Sequence, residues 1–240
     1  MEVSVLYEDN DLLVLDKPAG VSVLADRGSD RCFLDILTER WGEKGERPLV
    51  VHRLDKGTSG AIIFAKGSDA ARAVSTQFET RTVKKTYLAL VSGRPVPPEG
   101  TIDIPLAPHP GKPGIVVANA GRGKPALTFY RVIESFCSCS LVEARPQTGR
   151  THQIRVHFKV LGYPLAVDPV YGGQSALYLS AFRRGYRPSP RRPEKPLLDR
   201  LSLHASAIEV RHPVTGEAVR FEAPLPQDFR ITMRQLRKYG

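Results

Sequence analysis

In "VHRLDKGTSGAIIFAK", residues 51–66, one carboxylate, Asp55, stands between two cations, Arg53 and Lys56. The apolar run Ala61-Ile62-Ile63-Phe64-Ala65 behind it reads as a buried strand, and the turn formers of 55–60 read as a tight loop fixed to that strand. A loop anchored on a rigid core is where catalytic groups are commonly mounted, and a carboxylate held there can act as base or nucleophile. The competing reading is structural: Asp55 caps a turn or pairs with Arg53. His52, three residues earlier, supplies a second titratable group, and Asp55 with His52 is the pair that an RNA hydrolase would need.

A second constellation is "RPQTGRTHQIRVHFKVLG", residues 145–162. The spacing predicts a helix over Thr151–Gly162, with Ile154, Phe158 and Leu161 on one face at i, i+4, i+7. His152, Arg155 and Lys159 then line a cationic face, preceded by Arg145 and Arg150 near a helix end that favours anions. That face could hold phosphates or lend an arginine to a carboxylate; the plain alternative is a solvated amphipathic surface. A third stretch, Phe182–Lys195, interleaves Arg183, Arg184, Arg187, Arg191, Arg192 and Lys195 with prolines and with Phe182 and Tyr186. It cannot be helix or strand interior, and it suits contact with a phosphate backbone and stacked bases, unless it is merely a solvated insertion.

Other chemistries lack their signatures. His152 and His157 are five apart with no intervening glutamate, and His52, His109, His204 and His212 are scattered, so no metal site is expected. There is no phosphate-cradling P-loop, no dinucleotide fingerprint and no serine-hydrolase elbow. Of the three cysteines, Cys137 and Cys139 fall on one strand face, too close for a disulfide, and with Cys32 they read as buried structural thiols.

The elements that must position these groups alternate irregularly. Val3 to Tyr7 and Leu12 to Asp16 read as a hairpin ending at Lys17-Pro18-Ala19-Gly20. Helices are expected from Phe33 to Trp41, with Ser29 or Asp30 as cap and Gly42 as stop, and from the cap Ser68 through Phe78. Strand character returns in Lys85–Gly93, alternates with Pro/Gly turns over Thr101–Ala144, and closes in a hairpin turning near Pro213–Gly216 before a short helical tail from Gln227. Strands outnumber helices without strict alternation, which predicts an α+β fold.

The bulk composition agrees. A chain of 240 residues, 41 % hydrophobic, can bury one sizeable core or two small ones packed as one body. The net charge of +10 favours a nucleic-acid partner over an ordinary basic surface. No run approaches the ~18 apolar residues of a membrane span and the N-terminus lacks a signal-peptide layout, so a cytoplasmic location is expected.

Taken together, "VLYEDNDLLVLDKPAGVSV", "HRLDKGTSGAIIFAK", "KKTYLALVSG", "RPQTGRTHQIRVHFKVLGYPLAVDPVYG" and "LSLHASAIEVRHPVTGE" closely resemble the RluA-like family of pseudouridine synthases, in the family order and over nearly the whole chain. The resemblance implies a catalytic domain over 1–240 with no accessory RNA-binding domain before it, and a central, bent, mostly antiparallel mixed sheet flanked by helices. It also implies a reaction without cofactor or metal: the bond from uracil N1 to the ribose is broken, the base turns, and the bond re-forms through C5. H-R-L-D maps the catalytic aspartate onto Asp55, H-Q-I-R assigns its arginine partner to Arg155, and K-x-Y-x-A gives Tyr87 as the tyrosine that stacks on the base.

Leu203 in L-H-A would wall the base pocket and Arg53 would fill the space left by a flipped nucleotide. His52, Arg150, His152, Lys159, Arg183, Arg184 and Arg187 are the further candidates for RNA or base contact. The resemblance therefore expects Asp55, Tyr87 and Arg155 to meet in a basic cleft across the sheet, with ribosomal or transfer RNA as substrate and a monomer needing no protein partner. One departure, Ala166-Val167 before Asp168 where the family more often has glycine, is expected to leave the chemistry untouched. A catalytically dead RNA binder would keep the same basic surfaces and is the other alternative.

Overall fold

The computed structural model describes residues 3–25, 31–42, 47–187 and 193–240. In chain order it contains β1 (Ser4–Glu8), β2 (Leu12–Lys17), α1 (Phe33–Gly42), β3 (Leu49–Val50), β4 (Ser59–Ala65), α2 (Ser68–Glu79), β5 (Lys84–Ser92), β6 (Glu99–Asp103), β7 (Leu106–Pro108), β8 (Val116–Ala118), β9 (Leu127–Ser135), β10 (Cys139–Pro146), α3 (Gln153–Val160), β11 (Leu203–Arg211), β12 (Ala218–Glu222) and α4 (Gln227–Tyr239). The expected α+β class is what the chain adopts: strands dominate, pair mainly antiparallel and do not alternate strictly with helices. The chain forms two compact units, Met1–Thr86 with His204–Pro224, and Tyr87–Leu203 with Leu225–Gly240.

In the first unit β1 pairs β2, β2 and β3 pair β4, and β11 pairs β12, all antiparallel, while β4 and β11 run parallel through His204 opposite Ser59 and Ala205 opposite Gly60. All seven residues of β4 are buried, with Ile62, Ile63 and Phe64 fully so. Each such side chain contributes about 1.5–3 kcal/mol of burial, which is why the apolar run behind Asp55 is so firmly placed. At Gly60 the parallel pair approaches too closely for any side chain. A Cβ there would lie 2.2 Å from the Ala205 carbonyl oxygen, and φ is +117°.

The two hairpin turns of this unit are clasped together. Asp9 Oδ1 accepts the backbone N–H of Asp11 and of Leu12, and its Oδ2 accepts the Tyr7 hydroxyl and His212 Nε2–H, each at 2.7 Å. Partial burial pushes the Asp9 carboxyl up, but these donors outweigh it and hold it at about 2.

In the second unit β5 pairs β10, β10 pairs β9 and β9 pairs β6, all antiparallel, beside a separate β7–β8 pair. One core joins Ala89 and Val91 of β5, Val142 and Ala144 of β10, Ile154 and Phe158 of α3, and Leu203. A second core takes Phe229, Met233 and Leu236 from α4. The tail expected to be a short helix is thus a 13-residue amphipathic one, because its i, i+4, i+7 apolar positions are buried.

Several expectations of detail are corrected. α2 starts at Ser68 itself, with Gly67 as N-cap and no side-chain cap. Cys137 is exposed: the chain turns at 136–138 between β9 and β10, so Cys137 and Cys139 do not share a strand face, while Cys32 and Cys139 are buried as expected. Phe182 is buried in the second unit's core, so it cannot stack on a base. The caps Ser29 and Asp30, and Arg191 and Arg192 of the basic loop, lie outside the described residues.

Candidate active site

Asp55 sits where the sequence predicts, on a turn delivered by β4. Its carbonyl accepts the Thr58 N–H at 3.0 Å, which closes the turn over Lys56 and Gly57. The Lys56 carbonyl accepts the Gly20 N–H at 2.7 Å, and Gly20 has φ +90°. The Gly20 loop is in turn fixed by Lys17, fully buried, whose ammonium donates to the carbonyls of Pro18 and Val21 at 2.8 Å each. Leu54 beneath the turn and Thr58 and Ser59 after it are buried, and Ser59 Oγ is 3.0 Å from Nδ1 of the fully buried His204. The result is a half-buried carboxylate on a backbone held from three directions, with Arg53 and Lys56 exposed beside it.

His52 has a different job from the one its neighbourhood suggests. Its Nε2 accepts the Ile63 backbone N–H at 2.9 Å, and its ring stacks on Phe78 of α2 at 4.6 Å between centroids. A nitrogen that accepts a backbone N–H must stay unprotonated, and burial, helped by the charge of Lys85, pushes the ring down to about 3. Such a ring is a poor general base, which removes the hydrolase pairing of His52 with Asp55. Burial also lowers the Lys85 ammonium to about 8.

The sign of the pH effect follows. Above pH ~6.5 the His52 ring is neutral in both the folded and the unfolded chain. Below it the unfolded ring takes up a proton that the folded ring refuses until about pH 3, so stability is lost as pH falls through this window. By pH 5 the loss amounts to about 2 kcal/mol. His52→Gln keeps an acceptor for Ile63 but does not titrate. Urea unfolding at pH 7 and pH 5 should show the wild type losing about 2 kcal/mol more than this variant; equal losses would refute the assignment.

The remaining candidates lie in the second unit. Tyr87 stands on β5 opposite Ala144 of β10 and packs, half-buried, against the core that contains Leu203 and Phe158. Leu203 is only 3 % exposed. Arg155 lies on α3 between the buried Ile154 and Val156 and is itself buried. Its guanidinium makes a two-pronged bond to Asp168, Nε to Oδ2 at 2.8 Å and Nη2 to Oδ1 at 2.9 Å, and lies 4.8 Å over the Tyr171 ring. Asp168, fully buried, also accepts the N–H groups of Val170 and Tyr171 on Oδ1.

The predicted helix over Thr151–Gly162 is shorter at both ends, because α3 covers only Gln153–Val160. His152 is its N-cap in a left-handed conformation, φ 54°, with Nδ1 2.8 Å from the Tyr171 hydroxyl. Lys159 Nζ is 5.7 Å from the same ring. His152 and Arg155 are therefore organised around Tyr171, with the exposed Lys159 at its edge. Arg150 is half-buried and donates Nε–H to the Pro125 carbonyl at 3.1 Å, so it braces a loop.

The block around α3 is also braced by a polar chain that the sequence reading missed. Thr148 donates to Gln153 Oε1, Gln153 Nε2 donates to the Leu127 carbonyl and to Thr128 Oγ1, and His157 stands between Thr128 Oγ1 and the Ile104 carbonyl. The carbonyl requires the His157 proton on Nε2, so Nδ1 accepts from Thr128, and burial lowers the ring's pKa.

Asp168 and Tyr171, both in "AVDPVYG", likewise fall outside the residues expected from the sequence. The signal was available: an arginine between apolar neighbours on a buried helix requires a carboxylate partner. That block holds Arg155 in place. Of the basic loop, Arg184 and Arg187 are exposed, while Arg183 stacks at 4.5 Å over Tyr239.

Residues 11–159, which include Asp55, Tyr87 and Arg155, match the family model described as RNA pseudouridylate synthase. The chain is 38 % identical over 98 % of its length to the ribosomal large subunit pseudouridine synthase D of Nitrosomonas europaea, spanning 65 % of that protein. It is 39 % identical, again over 98 % of its length, to the protein of the same name from Xanthomonas campestris, spanning 70 % of it. Among solved structures it is similar to human RNA pseudouridylate synthase domain containing 4, with a TM-score of 0.74 and 29 % identity over 98 % of this chain and 93 % of that one. The chain thus spans about two thirds of the length of these curated relatives.

Proposed function

The chain belongs to the RNA pseudouridylate synthase family, and from that premise we propose that it isomerises uridine to pseudouridine within RNA, with 1–240 acting as one catalytic domain. The observation that carries the reading is the Asp55 turn, a half-buried carboxylate on a backbone held by β4 and the Gly20 loop in the segment that matches the family. Asp55 is the group that acts at the target nucleoside as nucleophile or base. Tyr87 stacks on the uracil, Leu203 walls its pocket, Arg155 supplies positive charge to the reaction, and Arg53 faces the RNA from which the nucleotide has been flipped.

The reaction balances without a cofactor. The N1–C1′ bond breaks, a C5–C1′ bond forms, the proton on C5 is lost and N1 gains one. Ribosomal RNA of the large subunit is the first substrate to try, given the names of the relatives, with transfer RNA as the second. No described helix is long and apolar enough to cross a membrane, and a cytoplasmic monomer is the working assignment. RNA carrying tritium at uracil C5 should release its label to water while the strand keeps its length on a denaturing gel. Cleaved strands, or retained label on both RNA classes, would overturn the proposal.

A further inference from the structure

A cleft of about 640 Å³ opens on the second unit, lined by Cys137 and Ser138 from the β9–β10 turn, by Ser180, Arg183 and Arg184, and by Tyr239 at the end of α4. Its volume is that of a small-ligand site. Its chemistry is two guanidinium groups, two serine hydroxyls, a thiol, and the rings of Tyr239 and the buried Phe182, with no carboxylate among the described lining residues. Arg183 is pre-positioned, its guanidinium 4.5 Å over Tyr239 and 5.6 Å from Tyr186, so little side-chain freedom remains to be lost on binding. Arg184 is exposed. Glu194 reaches the rim, where its Oε1 accepts the Ser180 N–H at 2.9 Å and fixes that edge.

We propose that this cleft binds a phosphate and its nucleoside from the substrate RNA at a position other than the target uridine, and so helps to select the RNA. Fixed arginines with hydroxyls beside them suit phosphate oxygens, and Tyr239 offers an edge to a sugar or base. All lining residues except Cys137 and Ser138 lie beyond the 11–159 stretch that carries the family match. Substrate preference particular to this chain fits such a place better than the shared chemistry does.

The inference rests on the RNA-modifying reading, and the cleft carries its own reporter. Cys137 is the exposed thiol of the three cysteines, Cys32 and Cys139 being buried. N-ethylmaleimide should therefore alkylate Cys137 first in the folded protein, and ribosomal RNA or a uridine-rich oligoribonucleotide should slow that reaction at least fivefold. Arg184→Glu, at an exposed position, should weaken RNA binding about tenfold or more and flatten its salt dependence by about one contact. Arg183→Ala should do the same.

Unchanged alkylation with RNA bound, or wild-type affinity and salt slope in Arg184→Glu, would overturn the inference. Measuring pseudouridine in the same samples separates the two readings. Turnover without protection sinks the cleft alone, and protection without turnover sinks the isomerase reading alone.

Discussion

Asp55→Asn is expected to form no measurable pseudouridine, a loss of roughly 10³-fold or more, while its unfolding free energy and its affinity for RNA stay near those of the wild type. The substitution is nearly isosteric, and asparagine is at home in turns. Two of the bonds that hold the turn, Thr58 N–H to the Asp55 carbonyl and Gly20 N–H to the Lys56 carbonyl, are made by backbone atoms that the substitution leaves in place. What disappears is the charge and the attacking or proton-accepting oxygen. An amide supplies neither, and the remaining binding groups cannot break a glycosidic bond. Tritium release under single-turnover conditions checks the activity, urea unfolding the fold, and filter binding the affinity. Activity within tenfold of wild type would remove Asp55 from the chemistry and take the proposed function with it.

The parts of this arrangement that the sequence makes legible are the local ones. The five-residue apolar run Ala61–Ala65, bounded by turn formers, reads as an interior strand, so β4 and the turn before it could be placed at once. The Ile154, Phe158, Leu161 spacing found α3, but not its start. His152 gives up a helical backbone for a ring contact with Tyr171, 19 residues further on, and no local propensity reports such a partner. Cys137 was misplaced because a strand pattern was carried through a hairpin turn. His52 looked chemical because it adjoins Asp55 in sequence; the structure spends its Nε2 on the Ile63 N–H. Asp168 is the instructive omission. It follows Arg155 by thirteen residues, across the end of a helix and a turn, and only the tertiary fold brings its carboxylate under the guanidinium.

That pair gives the second large effect. Asp168 is fully buried and the Arg155 side chain is 9 % exposed, so removing either partner leaves the other charged and out of water, at a cost of about 3–5 kcal/mol. Asp168→Ala also strips the acceptor from the Val170 and Tyr171 N–H groups. It should therefore be the more damaging single change, and Arg155→Met should approach it. Together the two leave no buried charge, so the double variant should be more stable than the sum of the single losses predicts, by about 3 kcal/mol of coupling in a double-mutant cycle.

Activity should not follow stability. If Arg155 were there only to hold α3 to the 166–171 loop, the double variant, with its fold restored, would recover turnover. The reading of Arg155 as the positive charge for the reacting carboxylate predicts that it stays at least 10²-fold slow. Arg155→Lys should sit between: the charge is kept, but the fork that grips both oxygens of Asp168 is lost, so turnover falls more than stability does. Recovery of activity in the double variant to within a few-fold of wild type would make the pair a structural one and would return the choice of the carboxylate's counter-charge to Arg53 and Lys56.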